Sequence, residues 1–498
     1  MSTTADPPAP PEAATRAASA GPETAAVPRA RPAGGGRRGS WTPLLLRLHF
    51  YVGILVAPFL VVAALTGILF VFTPQLDNLW YPHELHATDT TEATLPLSQQ
   101  VATARAAHPA GTLASVIPPA DRHATTQVVF SVPELGEKQH TVYVDPYTGQ
   151  VRGQLTTWYG ETPLTTWLDD LHRNLHLGVP GRMYSELAAS WLWVLVLGGL
   201  TLWLRRQWRT RRRARALLLP DLAAGTGVRR TRSWHAATGV WLAIGLLFLS
   251  ATGLTWSRFA GGHFDYALTA LSAHAPALDT ARGAAAGPAA GGHHGGGAGA
   301  SAADPANVDT VAAKARAAGL SGPIEITPPV DEASVWSVAQ TDRTWPVHYD
   351  KIAVDPDSAT ITARVRWVDW PLLAKLSKLG VQAHMGYLFG LLNQLVLAAL
   401  TLGVLCVIGW GYRMWWQRRP TRADHRAPMG SPPQRGTWRQ LHPATVAAVA
   451  AITAAIGWAL PELGVPLAVF LLIDAIAGTL HRRRSRSTVP ISPAPAGT

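Results

Sequence analysis

The sequence predicts an α-helical membrane protein of about six spans, built on a tandem repeat and carrying two small α+β modules outside the membrane. Three observations predict this fold class: apolar stretches near the roughly 20 residues that cross a bilayer, histidines that recur at fixed spacing, and basic residues gathered in alternate loops. The spans are expected near residues 50–73, 186–204, 235–256, 386–411, 443–460 and 464–480, of which the last two are shorter and rich in alanine.

The basic residues predict which loops face the cytoplasm. Segments 1–48, 205–233, 412–442 and 481–498 together hold 27 Lys or Arg and 5 Asp or Glu. Segments 74–184 and 257–383 hold 16 basic and 23 acidic residues, so the former segments and both termini are expected to be cytoplasmic. The net charge of +12 follows from this asymmetry, and because no folded basic domain accompanies it, nucleic-acid binding is not expected.

The two halves of the chain match at histidines that stand near the starts or ends of spans. His49 and the following Thr66-Gly67 recur in the second half as His235 and Thr252-Gly253, with the same spacing and without a gap. His172 and His384 form a second pair of equivalent positions, each followed at the same distance by a glycine. This spacing predicts a duplicated unit that brings equivalent histidines face to face.

Histidine is poorly suited to lipid and is a good axial ligand for haem iron. We therefore expect two haems, one held by His49 and His235 near the cytoplasmic face and one by His172 and His384 near the outer face. The alternative is that each histidine merely sits at the membrane interface. The lone Cys406 and the absence of a Cys-x-x-Cys-His motif exclude c-type haem, so the haems would be b-type.

Several neighbours of these histidines are candidates for the same sites. Gly53 and Gly239 each follow a histidine by one helical turn, so each could let a porphyrin lie against the backbone; close helix packing explains them equally. His176 lies one turn after His172 and could replace it as ligand. Arg173 and Arg47 could pair with haem propionates, although solvated interfacial arginine is the plainer interpretation.

Two further features carry weaker expectations. Asp474 is a carboxylate inside the last span, which suggests either a functional group or a helix-pairing contact. His293-His294 lies in the low-complexity run 283–299, which is expected to be a flexible linker, with weak metal binding as the alternative.

Each module outside the membrane is expected to contain one helix and a few strands, closed by a turn at Val-Asp-Pro. The two turns, Val144-Asp145-Pro146 and Val354-Asp355-Pro356, occupy corresponding positions in the two halves. The expected helices are Leu97–His108 and Val308–Ala318, and the expected strands are Thr125–Val132, Thr141–Val144, Ile324–Thr327, Ser334–Ala339 and His348–Val354.

In this order of elements the chain resembles the PepSY-associated transmembrane family of bacterial inner-membrane proteins. The resemblance covers about residues 41–416. It rests on His49 with Gly53 and Thr66-Gly67, on Tyr143-Val144-Asp145-Pro146-Tyr147-Thr148-Gly149, on Leu171-His172-Arg173, and on His384-Met385-Gly386 with Phe389-Gly390. Spans 443–480 depart from the usual four-span form of the family.

The resemblance implies iron uptake, because some members are similar to ferric-siderophore reductases that carry two b-type haems. It implies a ferric siderophore or similar acceptor and a separate electron donor, which could be a flavoprotein, an NAD(P)H-linked reductase or a quinol. No residue is then expected to act as acid, base or nucleophile. Two alternatives stay open. One is a non-enzymatic regulator or binder of extracytoplasmic proteases or peptides. The other is a transporter, although the spans lack the broken, charge-bearing interiors expected of a substrate path.

The expected organisation follows from these observations. It runs as a disordered N-terminus 1–40, a first span 41–75, a PepSY-like module 76–165, a span with its histidine-bearing leading helix 166–208, a basic loop 209–232, a third span 233–257, an Ala/Gly/His linker 258–302, a second PepSY-like module 303–370, a span with its leading helix 371–416, a basic loop 417–441, a two-span hairpin 442–481 and a cytoplasmic tail 482–498.

Overall fold

The computed structural model describes residues 41–88, 90, 93–210, 218–282, 304–418 and 442–487. The expected N-terminus 1–40, the run 283–299 with His293-His294, most of the second basic loop and most of the C-terminal tail lie outside the described residues.

The described helices are α1 and α2, which form one bent pair, followed by two short helices, a helix of the sheet domain, and the long helices of a membrane bundle. Their bounds are α1 Thr42–Leu55, α2 Ala57–Val71, α3 Thr73–Trp80, α4 Pro82–Leu85, α5 Leu97–Ala107, α6 Pro163–Asn174, α7 Val179–Thr210, α8 Val228–Leu254, α9 Phe259–Ala270, α10 Asn307–Ala317, α11 Leu372–Met385, α12 Gly390–Gln417, α13 Pro443–Ala459 and α14 Pro461–Ser487.

Four of these helices, α7, α8, α12 and α14, are long and apolar enough to cross a membrane, and the pair α1–α2 makes a fifth span if it is counted as one. About six spans were expected, and the difference is α13. This helix is apolar but has 17 residues, the lower end of the roughly 17–25 residues that cross a bilayer, and it counts as a shorter apolar helix. The chain is a multi-pass membrane protein with four to five such spans in its described part.

The helices α1 and α2 meet at an angle of 53°. The break falls at Val56, two residues before Pro58 in the first turn of α2, where proline is tolerated because it has no N–H to leave unpaired. The equivalent part of α8 continues without interruption. Around this break, a core of apolar side chains from α1, α2, α7, α8 and α12 holds the bundle together, with Leu463 of α14 at its edge.

Eight strands form one antiparallel sheet in the order β4-β3-β2-β1-β5-β6-β7-β8. Their bounds are β1 Thr112–Ile117, β2 Thr126–Ser131, β3 Gln139–Val144, β4 Val151–Thr157, β5 Ile324–Thr327, β6 Trp336–Gln340, β7 Lys351–Asp355 and β8 Thr360–Val365. The two halves of the chain contribute four strands each, and they join where Val116 of β1 pairs with Ile326 of β5. Two separate modules were expected, whereas the structure shows one continuous sheet.

The helices α5 and α10 lie side by side on one face of this sheet and bury a single apolar core with it. The short helix α4 approaches the other face, where the Glu84 carbonyl accepts from Thr125 Oγ1 at 2.7 Å and the His83 carbonyl accepts from Arg152 Nε at 3.0 Å. Since α3 and α4 continue the first span, this face of the sheet is the one turned toward the membrane bundle. The helix α9 occupies part of the expected linker 258–302 and was not predicted.

Candidate functional site

The structure brings His49 of α1 and His235 of α8 together inside the bundle. Their ring centroids lie 6.4 Å apart, with the ring planes nearly perpendicular at 82°. Two imidazoles bound on opposite sides of one iron would have ring centres about 6 Å apart, because each metal–nitrogen bond is about 2 Å long. The separation of the two rings therefore fits a shared axial ligation.

Both rings of this inner pair rest against glycines of a neighbouring helix. A Cβ at Gly199 of α7 would come within 3.2 Å of His49 Cε1, and a Cβ at Gly411 of α12 would come within 3.7 Å of His235 Cε1. Gly199 and Gly411 are equivalent positions of the repeat, separated in sequence by the same interval as His172 and His384. Small residues here give each imidazole room to lie flat against a neighbouring helix.

The hydrogen bond of His235 fixes which of its nitrogens is free. Its Nδ1 lies 2.9 Å from the carbonyl oxygen of Val407, which can only accept, so Nδ1 carries the proton and Nε2 keeps its lone pair. The repeat counterpart of Val407 is Leu195, and the Leu195 carbonyl faces the His49 ring in the same way. Nδ1 of His49 is buried, but among the described residues it makes no hydrogen bond of good geometry.

The outer pair, His172 of α6 and His384 of α11, is held by two threonines in the same manner. His172 Nδ1 lies 2.9 Å from Thr66 Oγ1, and His384 Nδ1 lies 2.7 Å from Thr252 Oγ1. Each threonine hydroxyl donates its own proton to a carbonyl one turn back in its helix, at 2.8 Å in both cases. The hydroxyl oxygen must then accept from Nδ1–H, which leaves Nε2 of both histidines as a free base.

The two outer histidines lie near enough to act electrostatically on each other. Glycine again makes room beside each ring: a Cβ at Gly67 would come within 3.0 Å of His172 Cε1, and one at Gly253 within 3.5 Å of His384 Cε1. All four histidines are only half-buried among the described residues, and none of their Nε2 atoms makes a hydrogen bond there. The repeated Thr-Gly pairs thus have a role as histidine supports.

The structure separates His176 from this arrangement. Helix α6 ends at Asn174, and both Leu175 and His176 adopt positive φ, so His176 does not lie one turn beyond His172 on the same face. Its ring packs instead against Trp167 at 4.9 Å. The geometry favours His172 over His176 as the ligand.

The predicted glycine neighbours lie beside the inner histidines, whereas the two predicted arginines pair with carboxylates. Arg173 lies 3.6 Å from Asp169 and 3.3 Å from Asp170, with its guanidinium over the Trp158 ring. Arg47 forms a buried ion pair with Asp474 of α14, on the side of α1 away from His49. A Cβ at Gly239 would meet open space, and one at Gly53 would make only ordinary contact with Leu195, so both leave room beside the inner rings.

A charged contact links the sheet to the segment that follows His384. Arg343, in the loop between β6 and β7, donates to Glu161 at 2.5 Å and stacks over the Tyr387 ring, which follows His384 closely in sequence. The Glu161 charge raises the pKa of Arg343 further above its ordinary value. Asp77 lies in α3, which continues from α2. Burial raises the pKa of Asp77, although the hydroxyls of Thr162 and Thr165 each donate to its carboxylate at 2.7 Å and oppose this effect.

Sequence reasoning found the four histidines but missed the residues that support them. Thr66 and Thr252 were recognised only as part of the repeat, and Gly199 and Gly411 were not recognised. A search for glycines and hydroxyls separated by the same intervals as the paired histidines would have found them. Among the described residues, no group of three or more His, Cys, Asp or Glu could hold a metal ion, so a plain metal site is not formed there.

Comparison with known proteins identifies the family of the chain. A comparison with curated proteins found none that matches the chain. The model of the PepSY-associated TM region matches residues 46–418, a stretch that contains all four histidines and both halves of the sheet. That stretch is about three quarters of the sequence, and the chain therefore belongs to the PepSY-associated transmembrane family.

Proposed function

We propose that the protein is a transmembrane electron carrier with two b-type haems, which reduces an acceptor outside the cytoplasm. The observation that carries the proposal is the 6.4 Å separation of the His49 and His235 rings across the bundle, which suits two axial ligands of one iron. The outer pair supports it, because His172 and His384 have the same free Nε2 and the same glycine clearance.

The residues present fit a b-type haem at each pair. Nδ1 of three of the four histidines is tied to an oxygen, which orients the ring and increases the basicity of Nε2 as a ligand. His49 with His235, and His172 with His384, would each hold one haem from two sides; such ligation would leave no open position for oxygen and would favour electron transfer. Bound haem would supply the one-electron chemistry.

The two pairs support a path across the membrane. The chain of α1 and α2 from His49 to Thr66, the support of His172, would rise about 25 Å along a straight helix at about 1.5 Å per residue. The 53° bend between α1 and α2 shortens this rise. With the N-terminus in the cytoplasm of a bacterial cell, as the basic loops indicate, the donor acts at the inner pair and the acceptor at the outer pair.

We propose a ferric siderophore as the acceptor and a flavoprotein, NAD(P)H-linked reductase or quinol as the donor. One-electron reduction to Fe(II) weakens binding by hard oxygen ligands and releases the iron. The sheet, which we interpret as two PepSY-like modules joined edge to edge, lies directly beyond the outer pair and would shape the approach of the acceptor.

The first experiment is the visible spectrum of the detergent-purified protein, oxidised and then reduced with dithionite, with haem counted as the pyridine haemochrome. We expect low-spin b-type bands and two haems per chain, with one haem lost in His49→Ala and in His235→Ala. A colourless protein after expression with ample haem would overturn the proposal and favour a non-enzymatic regulator, which should tolerate both substitutions.

A further inference from the structure

The helix α14 contacts α1 through two pairs of side chains. Asp474 forms an ion pair with Arg47, and the side chains are only 10% and 6% exposed. One turn away on each helix, the rings of Phe470 and Tyr51 lie 5.9 Å apart. Because the earlier residue of one helix meets the later residue of the other, the two helices pack antiparallel along one face of α1.

His49 lies between Arg47 and Tyr51 in sequence but on the other side of the helix. Two residues along an α-helix turn the side chain by about 200°. His49 accordingly contacts Gly198 and Gly199 of α7 and faces His235, whereas Arg47 faces α14. The helix α1 is thus held from opposite sides, by the inner histidine pair and by the charge pair.

The far end of α14 is also fixed. Trp191 Nε1 of α7 donates to the carbonyl of Glu462 at 3.1 Å, so α14 is anchored on both α7 and α1. The helix lies beyond residue 418, where the family match ends. Its contacts with α1 are therefore a feature of this chain that the family does not account for.

We propose that Asp474 is a positioning residue for the inner site: by pairing with Arg47 it fixes the rotation of α1 and keeps His49 opposite His235. A purely apolar contact would let α1 turn or slide, whereas separating this pair would leave a charge unpaired in a low-dielectric interior. The Nε and Nη1 atoms of Arg47 are buried without a hydrogen-bond partner among the described residues, so the ion pair with Asp474 is the compensation that the buried guanidinium has there.

The effect of Asp474 on the haem rests on the proposed function, whereas its effect on the rotation of α1 does not. The test measures these two effects separately. The only cysteine, Cys406, is first replaced by serine, which leaves a background without thiols. Leu45→Cys with Gly198→Cys then reports the face of α1 that carries His49, because a Cβ at Gly198 lies 3.5 Å from Leu45 Cδ1. Tyr51→Cys with Phe470→Cys reports the docking of α14.

We expect Asp474→Asn to slow oxidative cross-linking of both cysteine pairs at least tenfold and to shift the electron paramagnetic resonance of the inner low-spin haem, with the outer haem unchanged. The exchanged pair Arg47→Asp with Asp474→Arg should restore both cross-links, which excludes simple misfolding. The matched control is Asp369→Asn, which removes an exposed ion pair with Arg366 and should change nothing.

Normal cross-linking at Leu45/Gly198 and an unchanged inner haem in Asp474→Asn would overturn the inference. A wild-type protein without haem would overturn the proposed function instead, and the Leu45/Gly198 cross-link would still decide whether Asp474 positions α1.

Discussion

A single hydroxyl decides the protonation of each outer histidine. Thr66 and Thr252 each donate to a carbonyl of their own helix and accept from Nδ1 of a histidine on another helix. Serine would allow the same bonds, but the branched methyl of threonine restricts χ1 and keeps the oxygen in place. The Thr-Gly pair therefore supplies both an acceptor for the ring and the space that the ring occupies.

Removing this acceptor should weaken the outer site without disturbing the inner one. In Thr66→Val and Thr252→Val the ring of the partner histidine loses its orienting bond, and loss of such a bond typically costs roughly 10- to 100-fold in affinity for the bound metal. We expect faster transfer of one of the two haems to apomyoglobin. The control is Thr201→Val, whose exposed hydroxyl bonds only its own helix; equal haem loss in the control would contradict the assignment.

His172 and His176 are the two candidates for the α6-side ligand of the outer site. Because His176 lies past the end of α6 and packs on Trp167, His176→Ala should retain two haems, whereas His172→Ala should retain one. The pyridine haemochrome assay measures the difference. Loss of a haem in His176→Ala with two retained in His172→Ala would reverse the assignment.

At the scale of elements, α5 depends on a helix from the other half of the chain. Its N-terminus is preceded by Pro96, which has no side-chain acceptor, and the carboxylate of Asp309 in α10 accepts from Leu97 N at 2.7 Å and from Ser98 N at 3.2 Å. An acidic group at a helix N-terminus satisfies unpaired N–H groups and complements the helix dipole.

Replacing this cap should destabilise the sheet domain. We expect Asp309→Ala to lower the free energy of unfolding by about 1 kcal/mol, the usual cost of losing a capping side chain. Chemical unfolding of the purified protein, followed by the fluorescence of Trp336 and its neighbours, would measure it. Glu332→Ala, at an exposed position, is the control; an equal loss there would argue against capping.

The sequence predicted some elements well and others poorly, for physical reasons. The helix Leu97–Ala107 and the strand Ile324–Thr327 were expected almost to the residue, because their apolar periodicity is strong. Three strands were missed: β1, β4 and β8. The strands β4 and β8 lie at the edges of the sheet and bury no continuous face, and β8 is wholly exposed or half-exposed. The central strand β1 has an irregularity between Leu113 and Ser115, which interrupts its alternation. The helix α13, which was expected as a span, is apolar but has 17 residues, the lower end of the length that crosses a bilayer.

The sequence predicted which histidines pair in the candidate site and not which residues support them. Identical spacing identified His49 with His235 and His172 with His384, because a repeat preserves the distance between equivalent positions. The partner of Arg47 could not be predicted, since Asp474 lies near the opposite end of the chain and belongs to a helix outside the repeat. Contacts between distant elements depend on packing that no local pattern encodes.

At the scale of the whole molecule, Asp145 joins the membrane part to the sheet. Its carboxylate is fully buried and accepts from Thr88 N and Oγ1 at 2.8 and 2.7 Å, and from Tyr147 N and Thr148 N at 3.0 and 3.2 Å. Burial alone would raise the pKa of Asp145, but these four bonds outweigh it, and the pKa is lowered. The Asp-Pro-Tyr-Thr-Gly turn is thus a structural junction.

This junction predicts a pH dependence of stability. A carboxyl whose pKa is lower in the folded state stabilises the fold above its unfolded pKa of about 3.9, and the contribution is lost as the pH falls through the lower folded value. We expect Asp145→Asn to reduce stability by about 2 kcal/mol at pH 7, and the difference from wild type to shrink below pH 4. Thermal unfolding across pH measures it, with exposed Asp265→Asn as control. A difference at pH 3 as large as that at pH 7 would contradict the account.

The seam between β1 and β5 also sets the order in which the protein can mature. Val116 of β1 can pair with Ile326 of β5 only after the second half of the chain has been synthesised. At ordinary rates of synthesis the delay is about 10–40 s. During that interval the first four strands present an open edge at β1. An open edge can pair with strands of other chains, so synthesis of the second half, rather than folding of the first, limits how soon a nascent chain is protected from aggregation.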